Sequence, residues 1–159
     1  MEKQKDNSKE NINITIAKII IIFLSVISLC LLALGPKIVE YFLQYKYSLI
    51  QDLYARKILL YILGYSCGII ALLFFSNTFF LINNIGKNDI FIDKNIILIK
   101  KISNEITAAL LISFIIGCLC FTPFLIVSAV MLFTISIVKI IVAIFEKAVS
   151  MNDFLNYTV

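Results

Sequence analysis

Ile106-Thr-Ala-Ala-Leu-Leu-Ile-Ser-Phe-Ile-Ile-Gly-Cys-Leu-Cys-Phe-Thr-Pro-Phe-Leu-Ile-Val-Ser-Ala-Val-Met-Leu-Phe-Thr-Ile-Ser-Ile-Val138 is a run of 33 residues without a charged side chain. As one helix it would extend about 50 Å at about 1.5 Å per residue, too long for a hydrocarbon core of about 30 Å even when tilted. The run must therefore fold back on itself. Thr122-Pro123 lies near its middle, and because proline has no N–H to lose, a turn there costs little. The spacing predicts one helix over 102–121 and another over 124–145.

Two further charge-free runs, Ile19–Pro36 and Ile58–Gly86, precede it. Extended to helical length they give spans over 14–34 and 58–82, making four crossings in all. A chain that is 61% hydrophobic and only 15% charged is far from the composition of soluble domains, which carry about 25% charge. Lipid accepts the uncovered apolar surface that water would not. The expected fold is all-α, a single integral membrane four-helix bundle over residues 1–159. A short polar, frayed N-terminus occupies 1–13, and the tail 146–159 lies in the cytosol.

Charge distribution orients the bundle. With both termini and the 86–105 segment inside, ten of the 14 basic residues face the cytosol, leaving only Lys37, Lys46, Arg56 and Lys57 outside. The expected topology is thus multi-pass, with both ends cytoplasmic. Asp93 would cap a helix starting at about Lys94 that runs into the third span, and residues from Glu146 would extend the fourth helix beside it. These two would then project together into the cytosol. On the other side Gly35-Pro36 stops the first span. Ile38, Val39, Phe42, Leu49, Ile50 and Leu53 recur at helical spacing beyond it, as in an amphipathic surface helix. Tyr41, Tyr45, Tyr47, Tyr54, Tyr61 and Tyr65 gather there as an interfacial aromatic belt would.

Chemistry is scarce. The chain has no histidine, so a zinc or haem site of ordinary construction is not expected, and no cofactor is expected at all. Its ten acids lie outside the spans or at their ends, which leaves proton-coupled transport without an interior carboxylate and intramembrane proteolysis without an aspartate pair. Cys30, Cys67, Cys118 and Cys120 all fall in apolar runs, where free thiols without a neighbouring base are expected. No enzymatic activity is expected. Direct nucleic-acid binding is not expected either, since no basic stripe interleaves with aromatics. Gly64-Tyr-Ser-Cys-Gly68 has the small-xxx-small spacing that lets helices approach. Gly64 and Gly68 are therefore candidates for packing within the bundle or for a homo-oligomer contact, and Asn77 for an interhelical hydrogen bond.

Two segments go beyond composition. Asp89-Ile-Phe-Ile-Asp-Lys-Asn-Ile-Ile-Leu-Ile-Lys-Lys-Ile102 resembles the stretch P-F-T-E-E-N-V-x-x-L-K-K-I-G before the third span of the bacterial membrane family catalogued as domain of unknown function (DUF) 2975. Ile144-Phe-Glu-Lys-Ala-Val-Ser-Met151, closing with Asn156-Tyr-Thr-Val159, is similar to that family's I-F-K-x-A-V-E-L-K-E-E-N-D-L-T-I ending. Ile92 and Ser103 depart from the first pattern, and Phe154, Leu155 and Asn156 from the second. The resemblance implies four membrane helices, no catalysis, and pairing with a small cytosolic helix-turn-helix transcription regulator. It makes Phe91, Asp93, Asn95, Lys100, Lys101, Lys147 and Thr158 candidate partner contacts on the inner face. Two other readings stand beside it: a small exporter or immunity or stress factor acting on peptides or lipids, and an accessory subunit of a larger membrane complex.

Overall fold

The computed structural model describes the backbone of residues 2–45, 48–87, 90 and 92–157, and side-chain surroundings only between 12 and 151. It is all-helical: α1 (Glu2–Ala33), α2 (Gly35–Leu43), α3 (Leu53–Ile85), α4 (Asp93–Leu119) and α5 (Phe124–Tyr157). Among the described residues, four helices, all but α2, contain a segment long and apolar enough to cross a membrane. The chain has the make-up of a multi-pass membrane protein.

The expected U-turn is present. α4 ends at Leu119, Cys120 to Pro123 make the turn, and α5 begins at Phe124. The Phe121 amide still reaches back to the Ile116 carbonyl at 2.9 Å, and Phe124 donates to Phe121 at 3.0 Å, so the reversal leaves few backbone groups unpaired. Gly117 makes it tight, because a Cβ there would stand 2.8 Å from the backbone nitrogen of Leu125.

Successive spans run antiparallel. Ile14 meets Gly86 and Leu32 meets Gly68 across α1 and α3; Asn77 meets Glu105 across α3 and α4; Lys100 meets Glu146 across α4 and α5. The start of α1 and the end of α5 therefore share one end of the bundle, called here the termini end, opposite the α2 end.

Packing follows the order α1, α3, α4, α5. Each packs closely on the next, whereas among the described residues the backbone of α1 does not approach those of α4 and α5, which leaves a seam between them. α4 lies at the centre, with Ile102, Ile106, Ala109, Ser113, Ile116 and Gly117 buried. Ala109, Ser113 and Gly117, four apart, form a stripe of small side chains that lets α3 and α5 close on it. In lipid the transfer of apolar surface drives little of this, and close dispersion contact does most of it.

Several boundaries differ from expectation. Residues 2–13 continue α1 rather than fraying. Gly35-Pro36 bends the chain without ending its hydrogen bonding, since Leu34 donates to Cys30 and Ile38 to Leu34. The amphipathic helix stops at Leu43, and the described residues 44–45 and 48–52 form a loop. Ser48 Oγ and the Ile50 amide both donate to the Leu119 carbonyl, at 2.8 and 3.4 Å, which ties that loop to the end of α4 and takes residues 48–50 out of any helix. Asp93 is the first residue of α4, not its cap: Ile92 holds the cap position, and the acid serves the positive end of the helix instead.

Candidate functional site

The termini end carries the polar residues that the sequence singled out, and hydrogen bonds organise them in three layers. Nearest the membrane centre, Asn77 Nδ2 on α3 donates to Glu105 Oε1 on α4 at 2.5 Å, while Glu105 Oε2 is buried without a protein partner. Glu105 is fifteen positions from Cys120, about 22 Å at 1.5 Å per residue, which leaves it within a core of about 30 Å measured from the turn. An acid read as lying at a span's end is thus drawn into a helix interface. Asn77 has the interhelical role expected of it, and neighbouring Thr78 spends its hydroxyl on its own helix at Phe74.

The next layer joins α1 to α3 and α3 to α4. Lys18 Nζ donates to Asn83 Oδ1 at 2.9 Å. Asn84 Nδ2 donates to Asn95 Oδ1, and Asn95 Nδ2 donates to the Ile90 carbonyl, both at 2.8 Å. Asn95 is fully buried. It therefore leaves the set of partner contacts: its amide holds the α3–α4 connection in place, and a polar side chain so committed has no surface to offer.

Below that, α4 and α5 run on as a pair. Ile96, Ile99 and Val149 are buried there, and Lys100 Nζ lies 2.6 Å from Glu146 Oε1 with both side chains about half exposed. Lys100 is engaged within the chain; Asp93, Lys101 and Lys147 are exposed. Phe91 and Thr158, the other two contacts expected, lie outside the described residues.

The two packing glycines divide. A Cβ at Gly68 would run into the Leu32 side chain of α1, so the glycine lets that side chain lie against α3. Around Gly64 nothing lies within 4 Å of such a Cβ. It faces open space, and the close-packing stripe belongs to α4 instead. Small residues four apart among bulky neighbours were the available signal for Ala109, Ser113 and Gly117.

At the α2 end, Arg56 is the unforeseen residue. Only 4% exposed, it donates from Nη1 to the Tyr45 carbonyl at 2.9 Å and from Nη2 to Phe42 at 2.5 Å, closing the end of α2. Phe42 stacks on Phe121 at 4.7 Å, with Tyr45 edge-on to the same ring. Tyr41 and Tyr54 stay exposed as a belt requires, whereas Tyr45 and Tyr61 are partly buried. Comparison with family models, with curated proteins and with solved structures yields no match for this chain, so the likeness to the DUF 2975 family rests on the two quoted segments.

Proposed function

We propose that the chain is a non-enzymatic membrane module that binds a small cytosolic helix-turn-helix regulator at its termini end. The observation that carries the reading is the paired extension of α4 and α5, which holds Asp93, Lys101 and Lys147 exposed on a frame made stiff by Ile96, Ile99 and Val149. A stiff frame lowers the ordering cost of docking. The positive-inside bias supports a cytosolic termini end, since ten of the 14 basic residues belong to it. The partner's class comes from the family resemblance of the same two segments, and with it the bacterial plasma membrane as location.

The test is purification of the full chain from its native cells in mild detergent, with soluble proteins that co-elute identified by mass spectrometry. A small DNA-binding protein should co-elute, and the double variant Lys101→Glu/Lys147→Glu should lose it while remaining folded. Recovery of no such protein, or equal recovery with the charge-reversed variant, contradicts the reading.

A further inference from the structure

A cavity of about 270 Å³ lies at the α2 end, far from the polar layers. Leu31 of α1, Ile38 and Phe42 of α2, Gly64 and Ala71 of α3, and Ile116 of α4 are among its walls, and no charged side chain lines it. Gly64 forms its floor, which explains why that position has open space where a packing contact was expected. The backbone of α1 stands away from those of α4 and α5, and the cavity occupies that seam, with Leu31 on one side and Ile116 and Phe124 on the other.

Its contents follow from its walls. Water needs two to four polar partners to occupy a void, and a wall this apolar offers few. An empty space would forfeit the dispersion contacts of every lining atom. At this depth the neighbouring medium is hydrocarbon. From Leu60 to Ala71 the cavity follows eleven positions of α3, about 16 Å at 1.5 Å per residue, against about 15 Å for half of a 30 Å core. That is the depth of one leaflet. Lys57 stands one turn toward the α2 end from Leu60 on the same stripe of α3, where an ammonium suits a phosphate.

We propose that this cavity is a lipid site, which takes one acyl chain of a phospholipid from the leaflet at the α2 end, entering through the open seam. The chain lies along α3 with its end near Ala71 and its headgroup beside Lys57. The site is independent of any cytosolic partner.

The full chain, reconstituted in phosphatidylcholine vesicles containing a phospholipid with a photoreactive diazirine in mid-chain, is irradiated and its adducts mapped by mass spectrometry. Adducts should concentrate on Leu32, Ile38 and Ala71, which line the cavity, relative to Ile126 and Phe133, which are 72% and 68% exposed on the outside of the bundle. Gly64→Phe, whose ring fills the floor, should lower the cavity adducts about tenfold, the factor that 1.4 kcal/mol of lost binding gives, and leave Ile126 unchanged. Should that variant fail to fold by circular dichroism, Ala71→Phe blocks the deep end and is read the same way. Adducts spread evenly over cavity and outer surface in the unmodified chain overturn the proposal, as do cavity adducts that persist in a folded, filled variant.

Discussion

Three glycines in this chain have the same composition and opposite meanings. At Gly117 a Cβ would press on the backbone nitrogen of Leu125, at Gly68 it would press on the flexible end of Leu32, and at Gly64 it would meet nothing. Backbone cannot step aside as a leucine tip can. Alanine at Gly117 should therefore destabilise by about 1–3 kcal/mol, alanine at Gly68 by less, and alanine at Gly64 should stabilise by up to about 1 kcal/mol through helix propensity. Thermal unfolding of the three purified variants in one detergent checks the order, and a destabilised Gly64→Ala would contradict it. The Asn77–Glu105 pair gives a second expectation. Interhelical hydrogen bonds in membranes are worth about 0.6 kcal/mol and at most about 1.7, so a double-mutant cycle of Asn77→Leu and Glu105→Leu, each of which removes the bond, should return a coupling in that range. A coupling near zero would mean that the two side chains do not meet. Spacing made both Asn77 and Gly68 legible in the sequence. It concealed Asn95, because a polar side chain at a helix start reads as exposed until Asn84 and the Ile90 carbonyl are seen to engage it.

Among elements, α2 and the α4–α5 extension are held by different forces. Arg56 satisfies two carbonyls at the end of α2 and has its Nε buried without a partner. Arg56→Leu should loosen α2 and cost about 1–3 kcal/mol, with Arg56→Lys restoring little, because an ammonium cannot span two carbonyls in a fixed fork. Proteolysis within 44–52 should speed up in the variant, and an unchanged cleavage rate would argue against the capping role. In the extension, the Lys100–Glu146 pair is half exposed and is worth no more than about 1 kcal/mol. Ile99, 4% exposed, should cost about 2–5 kcal/mol as Ile99→Ala. Unfolding of Lys100→Ala and Ile99→Ala side by side separates the two, and a larger loss for Lys100→Ala would make the ion pair the main tie. The reversal at Pro123 was readable from a charge-free run too long for one crossing. The end of the amphipathic helix at Leu43 was not. Leu49, Ile50 and Leu53 keep its helical spacing, yet Ser48 and Ile50 instead bond to Leu119, and periodicity carries no information about that long-range bond.

For the whole molecule, composition decided the class: four apolar helices with antiparallel neighbours and both ends together. What composition could not supply was the openness. A four-helix bundle suggests that α1 closes the ring, whereas among the described residues its backbone packs closely on α3 and α2 and stands off from α4 and α5, and the cavity lies in that gap. Small residues set which helix lies at the centre, and they sit on α4 rather than on the glycine pair of α3. The account depends above all on the turn at Pro123 returning α5 to the end from which α1 starts. On a cysteine-free background, Asn13→Cys, Leu49→Cys and Ser150→Cys can be probed with a membrane-impermeant maleimide in sealed vesicles of known orientation. The account predicts that Asn13→Cys and Ser150→Cys label from one side and Leu49→Cys from the other; labelling of Asn13→Cys and Ser150→Cys from opposite sides would contradict it.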